Sequence, residues 1–309
     1  MADDSQPAAP GDETNWEDFW CLSQDGLNLY ARDYGPRTSR LTPVVCIPGL
    51  TRTSRDFHLL ATHLATRLRR RRRILALDLR GRGRSDYDRH AGNYTPQREM
   101  LDVLDIMAAA GIERAMVIGT SRGGLIAMAM AAARPNVLAG VVLNDIGPHI
   151  EILGLMRIIG QLGHMPRPRS WDDATALMRR MFQDSFTDLS EEDWSIFARE
   201  VFRDVKGRPR PDFDTRIVRS LSLDDLADGA VPDLWPLYGA LAVVPVLAIR
   251  GANSDIVSPA TFARMAARHP DFTSVTVPNR GHAPFLREPV ALEAIDALIN
   301  RVDHRAVHG

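Results

Sequence analysis

Cysteine, lysine and net charge are all scarce in this 309-residue chain, and each scarcity excludes something. Two cysteines, Cys21 and Cys46, cannot form a disulfide framework, and a chain so poor in them suits a reducing cytoplasm. Lysine occurs once, at Lys206, so every other one of the 38 basic residues is arginine. That bias reads as genomic composition rather than phosphate recognition. A formal net charge of −1 gives no support for binding nucleic acid or for general attraction to an anionic membrane. No apolar run approaches about 18 uninterrupted residues, so no spanning helix is expected. No His/Cys/Asp cluster has ligand spacing, and neither a metal nor a cofactor is expected.

What is present is ordinary globular composition, 45% hydrophobic and 25% charged, in a chain long enough for a full core. Residues 1–13 are acidic, polar and Pro/Ala-rich, without the basic and apolar regions of a signal peptide. They read as a disordered leader, with the boundary set at residue 17. After a weakly alternating hairpin over 20–34, short apolar runs alternate with helical ones. Strands are expected at 44–47, 74–79, 115–118, 137–143, 244–249 and 274–277. Helices are expected at 57–68, 96–110, 124–133, 259–267 and 290–302. Such alternation predicts an α/β fold with a mostly parallel sheet covered on both faces. The arginine run 69–73, at a helix end, reads as a solvated cationic terminus rather than a nucleic-acid patch.

Between Pro148 and about Ala240 the strand signals stop. Methionines and aromatics, among them Met165, Met178, Met181, Phe182, Phe186, Phe197, Trp194 and Trp235, lie on a helical background. This segment predicts a helical cap (148–240) inserted into a core formed by 18–147 and 241–303, with a tail at 304–309. Most of its large side chains form the cap's own core. Trp194 and Trp235 stand as candidates to shape a substrate pocket.

The chemistry concentrates at Gly119-Thr120-Ser121-Arg122-Gly123, between an apolar strand and a small-residue helix. A serine on that sharp turn is lifted out of the sheet, above a helix N-terminus able to hold developing negative charge. Serine needs a histidine base, and the histidine needs a carboxylate to fix its tautomer. Asn279-Arg280-Gly281-His282 follows the last strand, and Gly251-Ala252-Asn253-Ser254-Asp255 follows the one before it. Pro48-Gly49-Leu50-Thr51 follows the first central strand. There the Leu50 N–H can face the N–H of Arg122, giving two donors for an oxyanion.

With the order Ser121, Asp255, His282, and with Asp78-Leu79-Arg80-Gly81-Arg82-Gly83-Arg84-Ser85 similar to a D-x-R-G-x-G-x-S signature, the chain resembles the α/β-hydrolase superfamily, cap-bearing type, from about residue 18 to 302. The resemblance implies a serine hydrolase with Ser121 as nucleophile, His282 as base and Asp255 as acid. Some members draw the acid from the position of Asp145 instead, and Asp255 is favoured because its loop matches the usual one. Many members carry His-Gly where this chain has Pro48-Gly49, which leaves the backbone donor intact. His149 is the rival histidine near a strand end. The Arg122 side chain either binds a substrate carboxylate or bridges to Asp145, the bridge being favoured. The serine argues against the epoxide hydrolases and haloalkane dehalogenases of the superfamily, which use an aspartate. Hydrolysis of a small carboxylic ester is the favoured reaction. The alternatives are C–C hydrolysis of aromatic ring-cleavage products, a lactonase, a cofactor-free perhydrolase or dioxygenase, and an idle binding protein. The expected partner is a small-molecule substrate, and a homodimer is compatible with the sequence.

Overall fold

The computed structural model describes residues 16–66, 71–163, 166–219 and 233–308. The strands are β1 (Trp16–Leu22), β2 (Asn28–Tyr34), β3 (Val44–Ile47), β4 (Ile74–Asp78), β5 (Ala115–Thr120), β6 (Leu138–Asn144), β7 (Phe202–Val205), β8 (Arg208–Pro211), β9 (Val246–Gly251) and β10 (Phe272–Val277). Eight of them form one sheet in the order β1-β2-β4-β3-β5-β6-β9-β10. From β4 to β10 every pairing is parallel, and β2 runs antiparallel to both neighbours. The β3 and β4 residues are buried throughout, as strands covered on both faces must be.

The helices are α1 (His58–Thr66), α2 (Pro96–Ala109), α3 (Arg122–Ala133), α4 (Ile152–Gly163), α5 (Trp171–Phe182), α6 (Glu191–Val201), α7 (Arg216–Arg219), α8 (Trp235–Gly239), α9 (Pro259–Arg268) and α10 (Pro289–His308). Side chains alternate along each strand between two cores. Val45, Ile47 and Val117 pack with α2, α3 and α9 through Val103, Ile126 and Phe262. Val44, Cys46 and Ile118 pack with α1 and α10 through Leu60, Leu64 and Ile295. This two-period alternation makes the doubly wound sheet, and it leaves the C-terminal strand ends free to carry loops.

Four expectations change. The leader boundary at 17 gives way to β1, which begins at Trp16 and packs that ring 5.7 Å from Tyr34. Residues 1–15 lie outside the described residues. The arginine run is a solvated end only in part, since Arg71 is exposed but Arg72 and Arg73 are not. Arg72 is buried on Asp303 (2.7 Å), and Arg73 on Asp33 (2.9 Å); 67–70 lie outside the described residues, as does Met165. The expected tail continues α10 to His308, with Gly309 outside the described residues.

Finally, the segment between β6 and β9 contains a hairpin, β7–β8, amid its helices. Lys206 (φ 55°) and Gly207 (φ 77°) make its two-residue turn. Left-handed backbone at both positions suits the twist of the flanking strands. Charged residues in those strands, such as Arg203, Asp204 and Arg208, hide the usual apolar alternation.

Candidate active site

Ser121 sits between β5 and α3 with φ 51°, the left-handed turn that lifts its side chain from the sheet. Helix and strand approach closely here because Gly123 has no side chain: a Cβ on it would fall 2.1 Å from the Ile47 carbonyl oxygen. Ser121 Oγ lies 2.8 Å from Nε2 of His282, and His282 Nδ1 lies 2.7 Å from Oδ2 of Asp145. A carboxylate accepts, so Nδ1 carries the proton and Nε2 is left to accept from the serine hydroxyl. This is the polarity a general base requires.

The carboxylate that meets the histidine is therefore Asp145, where the sequence favoured Asp255. Asp145 follows β6 with φ 54° and is fully buried. Its Oδ1 accepts from the Gly251 backbone N–H (2.8 Å), and its Oδ2 from the Ser254 hydroxyl (2.6 Å) as well as from His282. Asp255 instead faces Arg157 of α4 in a two-pronged pair of 2.5 and 2.7 Å. Burial opposes its charge, but the Arg157 bonds outweigh it and hold the Asp255 carboxyl below its ordinary value. Arg157 lies in the inserted segment, so spacing along the chain gave no sign of this competing partner.

Leu50 and Arg122 are joined from behind by a buried network. Arg82 Nε donates to the Leu50 carbonyl (2.8 Å), and Arg82 Nη1 to Glu99 Oε1 (2.6 Å). The other Glu99 oxygen accepts from Arg122 Nε (2.7 Å), while Arg122 Nη2 donates to the Tyr94 carbonyl (2.8 Å). Burial opposes the Glu99 charge, but Arg82 and Arg122 outweigh it and hold its carboxyl below the usual value. Arg122 is thus a strut, as favoured, but its partner is Glu99 and not Asp145. The N–H of Arg122 opens α3, where helix geometry supplies no partner.

Ser121 and His282 open into a cavity of about 150 Å³. Its walls include Leu50 and Arg52 from the core and Arg157, Met178, Phe182 and Glu200 from the inserted segment. Trp194 does not line it: buried in the core of the inserted helices, it stacks behind Phe197 at 6.2 Å. Trp235 packs on Tyr238 under Arg264 and Arg268, also apart from the cavity. His149 is exposed. The sequence reading missed Glu99, Arg52, Glu200 and Ser254. The Ser254 position, one before Asp255 on a strand-end loop, carried the clearest signal. Among the described residues, no group of three or more His, Cys, Asp or Glu is placed to hold a metal ion. No helix among them is long and apolar enough to cross a membrane.

A mostly parallel sheet with a serine elbow at one strand end and a histidine loop after the last strand defines a class, and comparison with known proteins agrees. Residues 44–295 match the model of the Alpha/beta hydrolase family, and the chain belongs to that family of hydrolases. It is 31% identical over 281 residues to a 3-hydroxybutyrate-oligomer hydrolase of Cupriavidus necator, covering 88% of this chain and 93% of that protein. It is 26% identical over 277 residues to a 2-(acetamidomethylene)succinate hydrolase of Mesorhizobium japonicum, covering 90% and 91%. The crystal structure of an alpha/beta hydrolase from Novosphingobium aromaticivorans superposes with a TM-score of 0.85 at 39% identity, covering 94% of this chain and 100% of that one.

Proposed function

We propose that this enzyme is a serine hydrolase that cleaves small carboxylic esters through an acyl-enzyme on Ser121. The observation that carries the reading is the continuous hydrogen-bond chain from Ser121 through His282 to Asp145, opening on a cavity. In the first half-reaction His282 Nε2 takes the serine proton as Oγ attacks the ester carbonyl. The Leu50 and Arg122 N–H groups receive the oxyanion, a contribution worth on the order of 10²–10³ in turnover per donor. His282 then returns the proton to the departing alcohol. In the second half-reaction it takes a proton from water, which releases the acid and restores Ser121. Asp145 keeps the imidazole in the required tautomer and stabilises its protonated form. Helices α4, α5 and α6 of the inserted segment act as a cap that closes the cavity over the nucleophile.

The relative named for a 3-hydroxybutyrate oligomer supports an ester substrate, since such units are joined through ester bonds. C–C hydrolysis of anionic ring-cleavage products is less well supported, because the Arg122 side chain is committed to Glu99 and Tyr94. The test is hydrolysis of short p-nitrophenyl esters by the wild type and Ser121→Ala, with mapping of the site labelled by a reactive phosphonate. Loss of turnover in the variant and labelling at Ser121 are expected. Near-wild-type turnover in Ser121→Ala would overturn the reading.

A further inference from the structure

The cavity lining combines two unlike sets of side chains. One is apolar, built from Met178, Met181, Phe182 and Phe186 of the inserted segment. The other includes Arg52 and Glu200, and it starts beside the nucleophile. Arg52 and Ser121 flank Gly49: a Cβ on that glycine would lie 3.3 Å from Arg52 Cγ and 3.9 Å from Ser121 Cβ. A group attached near the carbonyl carbon of a bound acyl chain is therefore offered this polar set.

The charges there are already matched. Arg52 gives two hydrogen bonds to Asp56, at 2.7 and 2.8 Å, and its Nη2 lies 3.5 Å from Glu200 Oε2. Glu200 Oε1 accepts from Arg287 (3.1 Å), and Arg55 is bound to Asp212 (2.6 Å) while reaching the Glu200 carbonyl. A substrate carboxylate would meet Asp56 and Glu200 with no unmatched cation to hold it, and burying such a charge is costly. An all-alkyl chain would cover polar atoms and satisfy none of them. A hydroxyl answers both needs, because it accepts from the guanidinium and donates to the carboxyl.

We infer that Arg52 and Glu200 form a hydroxyl subsite, and that the enzyme prefers esters whose short acyl chain carries a hydroxyl group. The inference rests on the ester-hydrolase reading above. Burial, and then the Asp56 charge, push the Glu200 carboxyl up to about 7 against the pull of Arg287, Arg52 and Arg55.

The experiment compares kcat/KM for ethyl 3-hydroxybutyrate, ethyl butyrate and monoethyl succinate by pH-stat titration, in the wild type, Glu200→Gln and Glu200→Met. The wild type is expected to favour the hydroxyester over ethyl butyrate by about tenfold or more, since an alkyl chain laid on Arg52 and Glu200 strips water from their polar atoms and offers no hydrogen bond in return. Monoethyl succinate is expected to be the poorest of the three. Glu200→Gln, which can still pair with a hydroxyl, should keep most of the preference, and Glu200→Met should lose it. Equal wild-type rates on the hydroxyester and the butyrate, or a preference for the succinate, would overturn the subsite whether or not the variants fold. Failure to cleave any of the three, by contrast, would overturn the ester reading and the subsite with it.

Discussion

His282 meets Asp145 at 2.7 Å at the end of β6, while Asp255, beyond β9, is turned to Arg157. Two carboxylates stand at neighbouring strand ends, and their other partners decide which one serves the histidine. The Gly251 N–H and the Ser254 hydroxyl fix Asp145 from two further directions. Removing one donor should loosen the carboxylate without displacing it. Ser254→Ala is expected to lower kcat by about three- to tenfold with KM nearly unchanged, consistent with about one hydrogen bond. A change in KM alone would point to substrate contact instead.

The strands and the elbow were legible because they follow period-two burial and a glycine-flanked turn, both local properties. Ser121 and His282 were readable for the same reason. The carboxylate that pairs with His282 was not, because Arg157, which takes up Asp255, lies about a hundred residues away in sequence. The role of Arg122 was half legible: burial of a guanidinium demands a carboxylate, but nothing local named Glu99. The hairpin at Lys206-Gly207 was hidden because its strands carry charges where apolar residues normally announce a sheet.

Glu99 holds both residues whose N–H groups are assigned to the oxyanion, reaching Leu50 through Arg82 and Arg122 directly. Glu99→Gln should cost about 3–5 kcal/mol of stability, since it breaks a buried ionic arrangement. In folded protein kcat is expected to fall by roughly ten- to a hundredfold, with KM changed little, because the donors are needed most in the transition state. An unchanged kcat beside a lowered Tm would leave Glu99 a role in stability alone.

Close packing at the elbow makes a further prediction. Gly123→Ala would drive a methyl against the Ile47 carbonyl, a backbone group that cannot swing aside as a side chain can. A loss of about 3 kcal/mol or more is expected by denaturant titration, at the upper end of overpacking effects. Gly92→Ala, where a Cβ meets nothing within 4 Å, should stay within about 0.5 kcal/mol of wild type. Equal midpoints for the two variants would contradict the close helix–strand approach.

Glu200 also makes stability depend on pH. Its folded value of about 7 lies above the ordinary carboxyl value of 4.5. Between those two values the folded chain holds a proton that the unfolded chain has lost, so this group's contribution declines as pH rises. Relative to Glu200→Gln, the wild type should lose Tm steadily from about pH 4.5 to pH 7. A Tm difference that is flat over that window, or of opposite slope, would contradict the buried setting of this carboxyl.

The most direct test of the site is kcat/KM on a p-nitrophenyl ester for Asp145→Asn beside Asp255→Asn. An asparagine at the acid position reverses the histidine's tautomer, which costs about 10⁴ in a related arrangement. The expected result is a loss of about 10³–10⁴ in Asp145→Asn and less than about tenfold in Asp255→Asn. A collapse in Asp255→Asn with Asp145→Asn near wild type would contradict the assignment.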